Sequence, residues 1–305
     1  MKKAFMRLKD LGEFNFINRI SKAIRLSNRV VKGIGDDAAV LKYTKDKYLL
    51  FTTDMLLEGK HFYKGSSARL VGKKALSSNI SDIAAMGGIP KFAVISIGFP
   101  GSLDLKYADE IYRGIRKVAD RFSVDLVGGD TVGSNKIIIN IALIGEVEIK
   151  NLTLRSKAKE KDAIFVTGNI GGSIKLKHLN FTPRLEEARF LVKNFKINSM
   201  IDISDGLLAD LGHILEESDK GAVIYEKTMP VSKDAIDFNS AMRDGEDFEL
   251  IFTLPEKHAD RLEDIWPFET RLSRIGQIRD IHKGFFLARK NGKLEKIKPS
   301  GFTHF

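Results

Sequence analysis

The chain has 305 residues, 43% hydrophobic and 30% charged, a balance that excludes a disordered or fibrous protein and suggests about two domains. It contains no cysteine, which excludes disulfide frameworks, thiolate metal sites and cysteine nucleophiles. The formal charge of +10 favours anionic partners, yet the lysines are scattered and no run of roughly five or six basic residues marks a nucleic-acid or membrane patch.

At the N-terminus, MKKAFMRLKDLGEF lacks a sustained apolar stretch after its lysines, so no signal peptide is expected. The stretch GIGDDAAVL (33–41) follows, with glycines that let the backbone approach an anion but with two acids, Asp36 and Asp37, where a phosphate loop is normally neutral or basic. KYLLFTTDML (47–56) reads as a strand, and Ser66 or Ser67 caps a helix running to Met86, closed by Gly87, Gly88 and Pro90. KFAVISIGFP is the next strand. Leu105, Ala108, Ile111, Tyr112, Ile115, Val118, Ala119 and Phe122 recur at helical spacing over 103–122, and VDLVGGD and KIIINIALIGEV return to strand character. The longest apolar runs, 92–99 and 137–145, are too short to cross a bilayer as helices, so the expectation is a cytoplasmic protein.

Near residues 148–160 the sequence turns polar, which places a domain boundary between 1–149 and 150–305. DAIFVTGNIGGS is a strand entering a glycine turn, and a helix follows near 184–195. MIDISDGLLADLGHILEESDKG reads as strand, turn and amphipathic helix, GEDFELIFTL as a strand, and FFLARKNGKLEKI as a hairpin with Asn291 and Gly292 at its tip.

Acidic residues recur where apolar strands give way to turns: Asp36, Asp37, Asp54, Asp130, Asp202, Asp205, Glu246 and Asp247, with Asp82 on the predicted helix. A single aspartate there is most simply a cap or an Asx-turn. Recurrence points elsewhere, because strand ends gather ligands in α/β architectures and converging carboxylates repel unless cations neutralise them. Oxygen donors of this kind suit Mg²⁺ shared with phosphates, and Thr52 and Thr53 add oxygens. The six histidines form no paired zinc spacing. GNIGGSIK (168–175) lacks the Gly-Lys-Ser/Thr ending of a P-loop, and neither a protein-kinase motif set nor a GxSxG elbow occurs. Nucleotide handling would therefore run through aspartates and magnesium.

In order, GIGDDAAVL, TTDMLLEGKHF, NISDIAAMGG, VGGDT, IDISDG, GEDFEL and GFTHF resemble the thiamine-monophosphate kinase family, a branch of the aminoimidazole ribonucleotide synthetase-like superfamily. The resemblance covers nearly the whole chain, and GKHF and GFTHF lean toward the kinase. It implies a mixed α+β fold of two domains, an N-terminal ATP- and Mg-binding sheet domain that pairs into a barrel in a homodimer and a C-terminal α/β domain that completes the site. It implies that Asp37, Thr52, Thr53, Asp54, Asp82, Asp130, Asp202 and Asp205 ligate several magnesium ions. Gly129, Arg155, Ser204 and Tyr112 would bind ATP as co-substrate, and His61, Glu246 and Phe302 would contact thiamine monophosphate. Phosphoryl transfer would proceed without a general base, and neither nucleic acid nor membrane would be a partner. Another ATP-using member, such as phosphoribosylformylglycinamidine cyclo-ligase, is the alternative. Arg243, Asp244 and Gly245 stand where relatives often carry Ser-Gly-Gly.

Overall fold

Strict alternation of covered and open side chains along Ile138–Glu148 sets the plan of the first half. In a computed structural model, which describes residues 7–303, that strand is β6 of a six-stranded sheet. The others are β1 (Val30–Lys32), β2 (Ala39–Lys42), β3 (Lys47–Leu57), β4 (Ile89–Phe99) and β5 (Asp125–Gly133), in the order β1-β2-β3-β6-β4-β5. The stretch MKKAFM and the last two residues of GFTHF lie outside the described residues. Pairing is antiparallel except between β4 and β5, which run parallel because the helix Leu105–Phe122 carries the chain across. One face buries Leu50, Leu56, Ile95, Ile97, Ile139, Ile141 and Leu143. Register places Phe51, Thr53, Met55, Phe92, Val94 and Asp130 together on the other face, which is open.

The helix Ala68–Ala85 lies on the covered face, begun at Ser67 and ended at Met86 as the sequence predicts. It is buried nearly all round, and Lys74, Ser77, Ser78, Asn79 and Ser81 are among its buried residues. Polar groups on such a helix need partners or a function. The helix Leu105–Phe122, whose first turn is capped by Asp104 accepting the Lys106 N–H at 2.8 Å, crosses it through two glycines. A Cβ on Gly72 would lie 1.9 Å from the Ile111 carbonyl oxygen, and one on Gly114 2.0 Å from that of Arg69. Gly72→Ala is therefore expected to destabilise the fold by about 1–3 kcal/mol, read as a lower denaturant midpoint; an unchanged midpoint would contradict this close crossing.

The second sheet comprises β7 (Asp162–Thr167), β8 (Ser199–Asp202), β9 (Lys220–Tyr225), β10 (Leu250–Pro255), β11 (Leu272–Asp280), β12 (Phe285–Ala288) and β13 (Leu294–Lys296). Its order is β13-β12-β9-β11-β7-β10-β8, antiparallel except for β9 with β12. β7 and β10 are buried at nearly every position, as central strands covered on both faces are. One apolar cluster unites Ile80 and Ile83 of the buried helix with Phe165, Leu191 and Phe252 of the second half. The architecture is the mixed α+β arrangement expected. Two boundaries differ: β5 runs past Asp130 to Gly133 instead of ending there, and GEDFEL becomes strand only at Leu250. β9, β11 and the helix Glu13–Ser21 add to the elements that the sequence motifs mark. No helix among the described residues is long and apolar enough to cross a membrane.

Candidate active site

Separate segments deliver carboxylates to one place between the sheets. The tip of the β1–β2 hairpin presents Asp36 and Asp37, whose side chains are closed to solvent. β3 turns Thr52 toward the buried helix, where its hydroxyl bonds Asp82 at 2.5 Å, and alternation puts Asp54 on the same side. β8 ends in Asp202, which accepts from Ser81 Oγ at 2.5 Å. One oxygen each from Asp37, Asp82 and Asp202 lies within 4.8 Å of the others. Arg155 Nη2 donates to Asp37 Oδ1 at 2.7 Å, and its backbone N–H reaches Asp36 Oδ1 at 3.3 Å. Asp37 Oδ2 is buried without a partner.

Such crowding is expensive for negative charge. Burial, reinforced by Asp37, pushes Asp36 up to about 7, and burial with the same neighbour pushes Asp202 up to about 8. Asp82 is driven well above the usual carboxylate range by burial and then by Asp54, Asp202 and Asp37. One guanidinium, with Lys32 Nζ 4.0 Å from Asp36 Oδ2, does not balance this set. Asp205, Asp210 and His213 form a second convergent group. There Asp210 accepts the N–H groups of Asp205 and Gly206 at 3.1 and 3.0 Å, while burial pulls His213 down to about 4. In the first set, all-oxygen donors, an orphaned buried oxygen and uncompensated charge fit a hard divalent cation such as magnesium.

The GEDFEL loop is zipped to the IDISDG turn. Glu246 N–H bonds Ser204 O at 2.7 Å and Phe248 N–H bonds Ile203 O at 2.8 Å, with both residues in the left-handed region. Gly245 permits this contact, since a Cβ there would lie 2.5 Å from Ser204 O. The loop's three acids then separate. Glu246 meets Lys74 and His178. Asp247 accepts the Gly171 N–H at 2.8 Å and the Ser173 hydroxyl, and Glu249 accepts from Arg184 Nε at 2.7 Å and Lys177 Nζ at 2.9 Å. The glycine turn at 168–173 thus spends part of its N–H capacity on Asp247.

Family models for the N-terminal and C-terminal domains of AIR synthase related proteins match residues 35–147 and 152–287. The thiamine-monophosphate kinase of Buchnera aphidicola subsp. Schizaphis graminum is 36% identical over 326 residues, covering 97% of this chain and 99% of its own. That of Aquifex aeolicus is 33% identical, covering 98% and 100%. The chain belongs to the thiamine-monophosphate kinase family. Among solved structures, AaThiL complexed with AMPPCP and TMP superposes with a TM-score of 0.86 at 32% identity, covering 99% of this chain and all of that one. A HypE–HypF complex, at 20% identity and a TM-score of 0.76, shares the fold alone.

In this kinase the sequence-predicted residues divide. Asp37, Thr52, Asp54, Asp82, Asp202 and Arg155 gather on the covered side of the first sheet, where Arg155 is an ion-pair partner of Asp37. Asp205 lies beside this set, in the group with Asp210 and His213. Thr53 and Asp130 do not join. Alternation turns Thr53 to the open face, where its hydroxyl bonds Asn140, and register with Ser96 turns exposed Asp130 the same way, its carboxylate accepting the Thr131 N–H at 2.8 Å. Gly129 is required by packing, because a Cβ would lie 1.9 Å from Ile95 O. Tyr112 packs half-buried against the first core, and Ser204 offers its carbonyl to Glu246. His61 accepts the Leu57 N–H on Nδ1 at 2.9 Å, and the Phe302 N–H bonds Asp205 O at 2.9 Å, holding the C-terminal tail beside the site. The departure at 243–244 is accommodated: Asp244 accepts from Gly172 N–H at 3.2 Å and Arg243 bonds Ser300 at 3.0 Å. The sequence motifs did not mark Lys74, His178, Asp210 or Glu249. Only Asp210 carried a local signal, as an acid in the first turn of the helix Leu207–Ser218.

Proposed function

We propose that this kinase transfers the γ-phosphoryl group of ATP to the phosphate of thiamine monophosphate, giving thiamine diphosphate and ADP. The observation that carries the reading is the convergence of Asp37, Asp82 and Asp202 within 4.8 Å in a setting that one arginine does not neutralise. The likeness to a protein complexed with AMPPCP and TMP supports the pair of substrates. Asp37, Asp54, Asp82 and Asp202, with Thr52, would hold magnesium, and Asp205 would add to the set. Bound there, magnesium supplies the positive charge that lets two phosphates approach each other.

The chain's own residues then have a limited task. The second pKa of a phosphate monoester is about 6, so the attacking oxygen is already deprotonated at neutral pH and no general base is needed. Positioning dominates. Arg155, Gly129, Ser204 and Tyr112 would serve the nucleotide, and His61, Glu246 and Phe302 the thiamine monophosphate. Residues 1–149 would carry the metal and nucleotide functions and 150–305 would complete the site, in the cytoplasm where ATP is supplied. Incubation with ATP, magnesium and thiamine monophosphate is expected to yield thiamine diphosphate, and none with magnesium chelated. No thiamine diphosphate, together with turnover of a formylglycinamidine substrate, would favour the cyclo-ligase instead.

The open face of the first sheet supports a homodimer. Phe51, Met55, Phe92 and Val94 are exposed on it, with Val127 and Val132 on the edge strand β5. Apolar side chains this contiguous mark an association surface, and a second copy meeting it face to face would close a barrel with Thr53 and Asp130 at the seam. Phe92→Glu is expected to give a monomer in sedimentation velocity; a dimeric variant would exclude this face.

A further inference from the structure

We propose that Lys74 and His178 are positioning residues for Glu246, holding in place the carboxylate that receives thiamine monophosphate; this rests on the function proposed above. Lys74 sits on the buried helix Ala68–Ala85 with its side chain 0% exposed. Its ammonium donates to Glu246 Oε1 at 2.5 Å and to the His61 carbonyl at 2.9 Å, and lies 3.2 Å from His178 Nδ1. His178 Nδ1 is in turn 2.9 Å from Glu246 Oε2. Both carboxylate oxygens are therefore occupied from the protein side.

Exposure assigns the roles within this triangle. The Glu246 side chain is 23% exposed, that of His178 4%, and that of Lys74 not at all. Glu246 is thus the member that faces an incoming ligand, and the other two act through it. The Glu246 backbone is left-handed, at φ 63°, a conformation that strains a non-glycine residue and persists only when its surroundings hold it. A buried lysine is likewise tolerated only when paired. An ionised Glu246 between these groups selects the tautomer with the proton on Nδ1, so that His178 donates to Oε2.

The helix supplies a second constraint. Lys74 and Asp82 are eight residues apart on one rigid rod, roughly 12 Å along its axis. Lys74 anchors the acceptor side and Asp82 the phosphate-donor side. Rotation of Glu246 would therefore displace the acceptor relative to a fixed carboxylate cluster.

Steady-state kinetics of the full-length protein with both substrates test the assignment. Lys74→Met and His178→Ala are each expected to raise KM for thiamine monophosphate at least tenfold while KM for ATP stays within twofold. His178→Asn, which keeps a donor near the Nδ1 position, is expected to restore most of the loss. Adding Glu246→Gln to Lys74→Met is expected to cause no further rise, because both changes disable one group. If Lys74→Met does not fold, the His178→Ala and His178→Asn pair decides alone. Unchanged KM for thiamine monophosphate in the variants, or equal rises for both substrates, overturns the assignment. Failure of the wild-type protein to phosphorylate thiamine monophosphate overturns the underlying function, and the assignment with it.

Discussion

Asp82→Asn is expected to lower kcat at least about a hundredfold, as loss of one preorganised electrostatic group does, while raising the melting temperature of the metal-free protein. Both effects have one origin. The Asp82 carboxylate is destabilised by burial and by Asp54, Asp202 and Asp37, so under the proposed function it would be kept for the cation it binds and not for the fold. Asparagine keeps the shape and an oxygen for the Thr52 hydroxyl but brings no charge. Each kcal/mol of relief should add about 2–4 °C for a domain of this size. A variant that melts below the wild type in chelator, or that retains activity, would refute the picture of a charge-strained cation cage.

The metal-free wild type should lose stability as the pH rises from 6 to 8, and magnesium should restore it. Asp36 and Asp202 have folded values of about 7 and about 8, above the ordinary 3.8. The folded state therefore holds protons that the unfolded chain has already released. Their contribution is fully present below the unfolded value and is lost as the pH climbs through about 7 and then about 8. Magnesium competes with those protons, so its increment in melting temperature should be larger at pH 8 than at pH 6. Thermal scans in chelator and in magnesium across that window would check the sign; a metal-free protein more stable at pH 8 than at pH 6 would contradict it.

Much of the scaffold was legible because its periods are local. The alternation in KIIINIALIGEV and the helical spacing over 103–122 identify β6 and the crossing helix directly. The acids of the cage were legible through recurrence. Which face each occupies was harder: with Asp130 taken as the end of its strand, nothing signalled that β5 runs on to Gly133 and turns Asp130 away from Asp54. Lys73 and Lys74 show the deeper limit. They are adjacent and chemically identical, yet Lys73 reaches the exposed Asn180 side chain at 2.8 Å and Lys74 is sealed against Glu246 and His178. Their fates are set mainly by Asn180, His178 and Glu246, each more than a hundred residues away, which no local pattern encodes.

The buried helix has a mechanical consequence. Ile80 and Ile83 share apolar contacts with Phe165, Leu191 and Phe252, so the two halves are joined through a common interior and cannot swing apart without exposing it, although the second half also keeps a separate cluster around Ile201, Leu208 and Ile224. Substrate capture should leave the radius of gyration essentially unaltered in solution scattering, with adjustments confined to side chains and the tail near Phe302. A catalyst built this way behaves as a vice already set to its working gap.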